Sequence, residues 1–316
     1  MSLSQQHDLT AFLLSSPLPL PATACAGDMP QWQALARQQY TQWQTPFARA
    51  VTGGFCSGSI GIAFTSGYQA ALQALAPTRV DYNAASFCVT ESGGNKPSSI
   101  QTRLTPSTAG HWILSGEKSF VSGADHARRL LVAATDGQDK QGRNRLVMVQ
   151  VETDQPGVAI QVLPPLPFAP EALHGSVRFD QVVITPEQQL PGDGYTHYVK
   201  PFRTIEDIHV SAAILGYLVR IARQYGFPRS SIEQLLALIW LHQPLADAAP
   251  AEPTTHLALA GARHLMESVL AALEPHWALA DPAVASAWQR DKALLQIAGK
   301  ARTQRTLRAW ETVTAP

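Results

Sequence analysis

Residues 87–94 read FCVTESGG. Phe87, Cys88 and Val89 suit a pleated strand. Thr90 and Glu91 then offer a hydroxyl and a carboxylate, and Gly93-Gly94 leaves the backbone bare enough for a tight turn or a close approach. A strand that ends in this way arranges polar groups around something.

Outward from this point, residues from about 85 to 190 alternate short β-rich runs with turn signals: FCVT, SIQTRL, WIL, SFVSG, RLLVAAT, RLVMVQV, VAIQVL and SVRFDQVVI. DGQDKQGRN (136–144) and TDQPG (153–157) are polar turns. Many short strands at this spacing predict an antiparallel barrel or sandwich. Upstream, residues 1–29 are Pro-rich and read as irregular. Trp32, Leu35, Tyr40, Trp43 and Phe47 recur at near-helical spacing behind a first-turn Pro30. A further helix is expected from Gly58 to Leu75, stopped by Ala76-Pro77.

Downstream, Ile205, Ile208, Ala212, Leu215, Val219 and Ala222 form an apolar stripe. Ser230 with Glu233 reads as a capping box for the next helix, and 255–273 and 282–310 supply two more. The fold class is α+β: N-terminal helices, a central antiparallel β-barrel or sandwich, and a C-terminal four-helix bundle. The expected domains are 1–82 (1–29 irregular), 83–200 and 201–316.

Composition narrows the function. Lys plus Arg and Asp plus Glu both number 24, and no basic run occurs, so nucleic acid is not an expected partner. Only 15% of residues are charged and 45% are hydrophobic, which suggests surface hidden against sister subunits. Cys25, Cys56 and Cys88 lack zinc spacing and read as buried thiols in a reducing cytoplasm. Leu9–Gly27 is apolar and ends in small residues, but no Lys or Arg precedes it and three prolines interrupt it, unlike a secretory signal. No run reaches the roughly 20 apolar residues of a membrane span. HExxH, GxSxG and P-loop patterns are absent.

The order of elements, together with FCVTESGG, WILSGEKSFVSGADHARRLLVAAT (112–135), VRFDQVVITPEQQLPGDGY (177–195) and IEDIHVSAAILG (205–216), resembles the acyl-CoA dehydrogenase family of flavoenzymes. Residues 85–230 carry the specific likeness. The resemblance implies FAD, with Thr90 donating to the ring edge beside the backbone of Val89. It implies Ser122 as the hydroxyl facing N5, and Phe120 covering the ring where relatives have Trp. Arg229 and Ser231 match an Arg-x-Thr that relatives place against a neighbouring subunit's flavin. Homodimers or homotetramers, an acyl-CoA or acyl-carrier thioester and a separate electron acceptor are implied too.

This sequence departs from the family pattern at several points. Gly93-Gly94-Asn95-Lys96-Pro97 replaces Gly-Ala-Gly-Ser-Asp, so Lys96 stands where a serine meets phosphate or substrate. HWALADPAV (276–284) occupies the region of the Gly-Gly-x-Gly adenine loop. In RDKALLQIAGKARTQR (290–305), Ile-Ala-Gly stands where relatives carry the base in Tyr-Glu-Gly. Some relatives place that glutamate ten residues before a glycine on the first bundle helix. Glu206 stands ten before Gly216 and is the candidate base, sharing a face with His209, Ala213 and Gly216. His209 could tune it. Small residues on that face leave room for an acyl chain or for a close helix. Glu206 in a first turn also fits the helix dipole alone. Two other functions stay open: a flavin monooxygenase on this fold, and a non-catalytic subunit or acyl-binding protein.

Overall fold

The computed structural model describes residues 3–16, 18, 28–107 and 110–315. Cys25 and most of Leu9–Gly27 lie outside them. The chain divides into two compact units. One is Met1–Ala74 with Pro167–Glu171 and Thr204–Pro316; the other is Leu75–Leu166 with Ala172–Arg203. Compactness thus joins the two helical ends, whereas the division at 82 and 200 follows chain order and remains a proposal.

In the helical unit, α1 (Leu3–Leu14) is followed by α2 (Met29–Gln42), α3 (Pro46–Phe55) and α4 (Ile60–Leu75). The expectation of irregular structure up to residue 29 is corrected by α1. The prolines cluster from Pro17 onward, and Leu9 and Leu13, one turn apart, are both fully buried. Asp28 caps α2 by accepting from Gln31 N, with Pro30 in the first turn. The C-terminal helices are α5 (Lys200–Gln224), α6 (Arg229–Asp247), α7 (Pro253–Leu273), α8 (Pro282–Asp291) and α9 (Gly299–Val313).

Two local expectations change here. Helix α6 begins at Arg229 with Pro228 at its N-cap and no side-chain cap, so Ser230 and Glu233 form no capping box. The single helix expected over 282–310 is broken. A 3-10 turn spans Lys292–Gln296, and Ala298 has a left-handed φ of 64°.

Phe47, Val51 and Phe55 of α3 share one core with Leu215, Leu218 and Val219 of α5, Ile239 of α6 and Trp288 of α8. Helices α3 and α5 meet backbone to backbone. A Cβ at Gly216 would overlap the Val51 carbonyl, and one at Gly54 the Ala213 carbonyl.

The other unit is built on one seven-stranded sheet: β1 (Ala85–Cys88), β2 (Arg103–Pro106), β3 (Trp112–Ser122), β4 (Arg129–Gln138), β5 (Asn144–Glu152), β6 (Val158–Val162) and β7 (His174–Ile184). Its order is β1-β4-β2-β3-β7-β6, with β5 also paired to β4. The antiparallel expectation needs amendment. β2–β3, β3–β7, β4–β5 and β6–β7 are antiparallel, but β1 and β2 both run parallel to β4. Parallel neighbours require a long connection, and here it contains β2 and β3. Leu104, Leu114, Leu130, Val149, Val177 and Phe179 fill the core of this unit. The sheet places the end of β1 beside the end of β3.

Candidate functional site

Two cross-links join β1 and the residues just beyond it to the end of β3. Ser119 N–H donates to the Thr90 carbonyl at 2.8 Å, and Ser86 Oγ donates to the Ser122 carbonyl at 2.8 Å. The structure therefore runs the backbone of 86–90 alongside that of 119–122, in antiparallel sense. A β-bulge makes this possible: the β3–β7 register shifts between Lys118 and Val121, freeing Ser119 for Thr90. Bulges re-aim side chains. Phe120 sits in this one with a left-handed φ of 51° and is 65% exposed, an unusual outlay for a large aromatic.

Thr90 and Ser122 are half-buried and Val89 is buried. No described residue accepts from the Thr90 N–H or hydroxyl, nor from the Ser122 hydroxyl. These two neighbouring segments thus carry an exposed ring and donors with unused capacity.

Directly behind it lies an ion pair that the sequence reading did not assemble. Lys118 Nζ is 2.7 Å from Glu91 Oε1, with the side chains 0% and 6% exposed. Glu91 also accepts from Gln101 N at 2.6 Å, Thr102 N at 3.1 Å and Thr102 Oγ1 at 2.7 Å. Lys118 Nζ reaches the Val89 carbonyl at 3.4 Å. Burial pushes the Glu91 carboxyl up, but the Lys118 hydrogen bond and charge, with the Gln101 and Thr102 donors, bring it below its ordinary value. Glu91 is therefore a fixed anion, unsuited to act as a base. Only glycine fits at 116, where φ is 150° and a Cβ would fall 2.6 Å from Thr102 Cα. The sequence signal was a lysine inside a strand, two residues after a glycine. The pair, with Ser92, Ser99, Gln101 and Ser119, lines a cavity of about 410 Å³. Lys96 stands exposed just before the 3-10 turn Pro97–Ser99.

In the helical unit, Glu206 is half-buried on α5. Its neighbour Asp207 is held by two arginines of α9: Arg302 Nε and Nη2 lie 2.9 and 2.7 Å from Oδ1, and Arg305 Nη2 lies 2.5 Å from Oδ2. Arg302 Nη1 also donates to the Ile297 carbonyl at 2.6 Å, so the Ile297-Ala298-Gly299 turn is tied to the same clasp. His209 is buried. Its Nδ1–H donates to the Ile205 carbonyl at 2.8 Å, and burial holds its pKa down at about 4, so it is neutral near pH 7. Gly216 is used by the contact between α3 and α5, the second of the two uses its small size allows. Arg229 is exposed at the start of α6, and Ser231 is buried with its N–H on the Pro228 carbonyl. In HWALADPAV, Trp277 is buried and stacks on Trp288, centroids 4.7 Å apart and planes 13° apart. Among the described residues no cluster of His, Cys, Asp and Glu could hold a metal, and no helix is long and apolar enough to cross a membrane.

Residues 86–182 match the model of the acyl-CoA dehydrogenase middle domain. The probable acyl-CoA dehydrogenase YngJ of Bacillus subtilis (strain 168) is 26% identical over 166 residues, covering 48% of this chain and 42% of the relative. The match thus spans less than half of that protein. Butyryl-CoA dehydrogenase from Megasphaera elsdenii superposes with a TM-score of 0.73 at 16% identity, over 98% of both chains. A glutaryl-CoA dehydrogenase from Mycobacterium smegmatis in complex with FADH2 gives a TM-score of 0.61 at 12% identity, over 100% of this chain and 96% of that one. Such identities speak for the fold, and the middle-domain match adds the sequence evidence. Residues 86–182 are thus similar in sequence to the acyl-CoA dehydrogenase middle domain, and the chain as a whole shares the acyl-CoA dehydrogenase fold.

Proposed function

We propose that this protein binds FAD at the Thr90–Phe120–Ser122 patch and α,β-dehydrogenates an acyl thioester, carried on CoA or a carrier protein, for a separate electron acceptor. The observation that carries the reading is the pairing of an exposed, strained Phe120 with the unengaged N–H and hydroxyl of Thr90. These residues fit a flat ring with acceptor atoms at its edge. When bound, the flavin supplies the acceptor for hydride from the substrate Cβ. Thr90 N–H and Oγ donate to the ring edge, where reduction concentrates negative charge. Phe120 covers the ring, Ser122 Oγ donates near N5, and Val89 fixes the strand below. Lys96 offsets diphosphate charge. Arg229 and Ser231 are retained as contacts to the cofactor of a neighbouring subunit in a homodimer or homotetramer.

Glu206 removes the α-proton, the role left vacant where Ala298 replaces the late glutamate. A carboxylate suits this step when its surroundings raise its proton affinity. His209, neutral and engaged through Nδ1, acts on it only as a dipole. The experiment is anaerobic bleaching of the FAD-loaded protein by acyl-CoAs of different chain length. The Glu206→Gln variant is expected to keep the yellow chromophore and lose bleaching at least a hundredfold in rate. Undiminished bleaching by that variant removes Glu206 from the mechanism.

A further inference from the structure

We propose that the buried Lys118–Glu91 pair sets the donor strength of the Val89–Thr90 peptide and thereby tunes the electron affinity of a flavin held at Thr90; this rests on the flavin reading above. Lys118 Nζ lies 3.4 Å from the Val89 carbonyl oxygen. In a trans peptide, C=O and N–H point in opposite directions. The Thr90 N–H therefore points away from the ammonium. A cation on the carbonyl side draws electron density through the amide and strengthens the N–H as a donor, more so where the dielectric is low. No described residue accepts from that N–H, so its strength is available to a ligand.

Glu91, 2.7 Å from the ammonium, offsets part of this field. The carboxylate is fixed by Gln101 N, Thr102 N and Thr102 Oγ1. The balance between cation and anion behind Thr90 is thus built in. The Cys88 thiol adds no charge, because burial pushes its pKa up to about 12. A buried ion pair is seldom a stability device, since well-packed neutral groups often serve as well. Its place behind two unused donors gives it an electrostatic use. Lys118 and Glu91 are positioning residues; neither touches the ring.

The sign of the effect separates this role from packing. Full-length wild type, Glu91→Gln and the double variant Glu91→Gln/Lys118→Met are loaded with FAD. Dissociation constant and reduction potential are measured, with thermal midpoints of the apo-proteins as the folding control. Burial holds the Lys118 pKa below its ordinary value and Glu91 raises it, so Glu91→Gln is compared with wild type at the lowest pH at which both stay folded. There the uncompensated ammonium is expected to raise the preference for reduced over oxidised flavin about tenfold, about 30 mV for a two-electron couple. The double variant removes the cation and is expected to lower that preference below wild type. Equal potentials in all three, or shifts of one sign in both variants, overturn the proposal and leave the pair as packing. If Glu91→Gln fails to fold, the double variant against wild type decides alone: a fall supports the proposal and an unchanged potential ends it. Wild type that takes up no FAD removes the flavin reading itself, an outcome distinct from the others.

Discussion

Replacing Asp207 by alanine tests whether the clasp between α5 and α9 holds the end of the chain. Three charge-assisted contacts are lost, two from Arg302 and one from Arg305. Each is worth about 1.5–3 kcal/mol when well shielded. The side chains of Arg302, Arg305 and Asp207 are 23%, 20% and 13% exposed, so water recovers part of the loss and the sum must be discounted. Arg302 also keeps its carbonyl partners at Leu295 and Ile297. A net cost of about 2–3 kcal/mol follows, a fall of roughly 5–10 °C in thermal midpoint for a unit of this size. Urea denaturation gives the free energy, and amide exchange over residues 299–313 locates it, with α9 losing protection ahead of α5. A loss below about 0.5 kcal/mol with α9 protection intact, the range of an ordinary surface pair, would refute the reasoning.

Other perturbations read separate parts of the structure. Phe120→Gly should leave apo stability unchanged or slightly higher by calorimetry, because about 1 kcal/mol of left-handed strain is relieved and little burial is lost, while FAD affinity drops. Gly216→Val should prevent cooperative folding or cost more than about 3 kcal/mol by denaturant titration, since its side chain would enter the Val51 backbone. Acid should destabilise the protein between about pH 6.5 and pH 4. His209 is held neutral to about pH 4 when folded and titrates at its ordinary 6.5 when unfolded, so the unfolded state takes up the proton first as pH falls. His242, also lowered by burial, adds in the same direction. His209→Phe should flatten that slope in urea midpoints measured from pH 7 to 4.

What the sequence disclosed depended on whether the signal was local. Strand β7 alternates buried and exposed positions on either side of a slip at Asp180-Gln181, and each half reads directly as one-faced. The end of β1 could be read as a site because hydroxyl, carboxylate and glycines are neighbours in the chain. The parallel pairings were hidden, because β1 and β4 are buried runs whose partners no periodicity specifies. Helix α1 was masked by the prolines that follow it. The break at Ala298 was hidden for another reason: a left-handed alanine has no compositional mark, unlike glycine. The Lys118–Glu91 pair joins residues 27 positions apart, and only the β1–β3 packing makes them neighbours. For Glu206 and Gly216 the spacing was legible, but spacing alone left the use of the glycine open; the α3 backbone against it supplies that use.

The parallel register of β1 on β4 also sets an order of events. Among the described residues Ala85–Cys88 pairs as a strand with Arg129–Val132, so a ribosome must release some forty further residues before this ladder can form. Non-local pairings of this kind are slow to form. The Thr90 edge therefore assembles late in maturation. Weakening β4 should delay the protease resistance of residues 85–94 in newly made chains more than that of the helical unit.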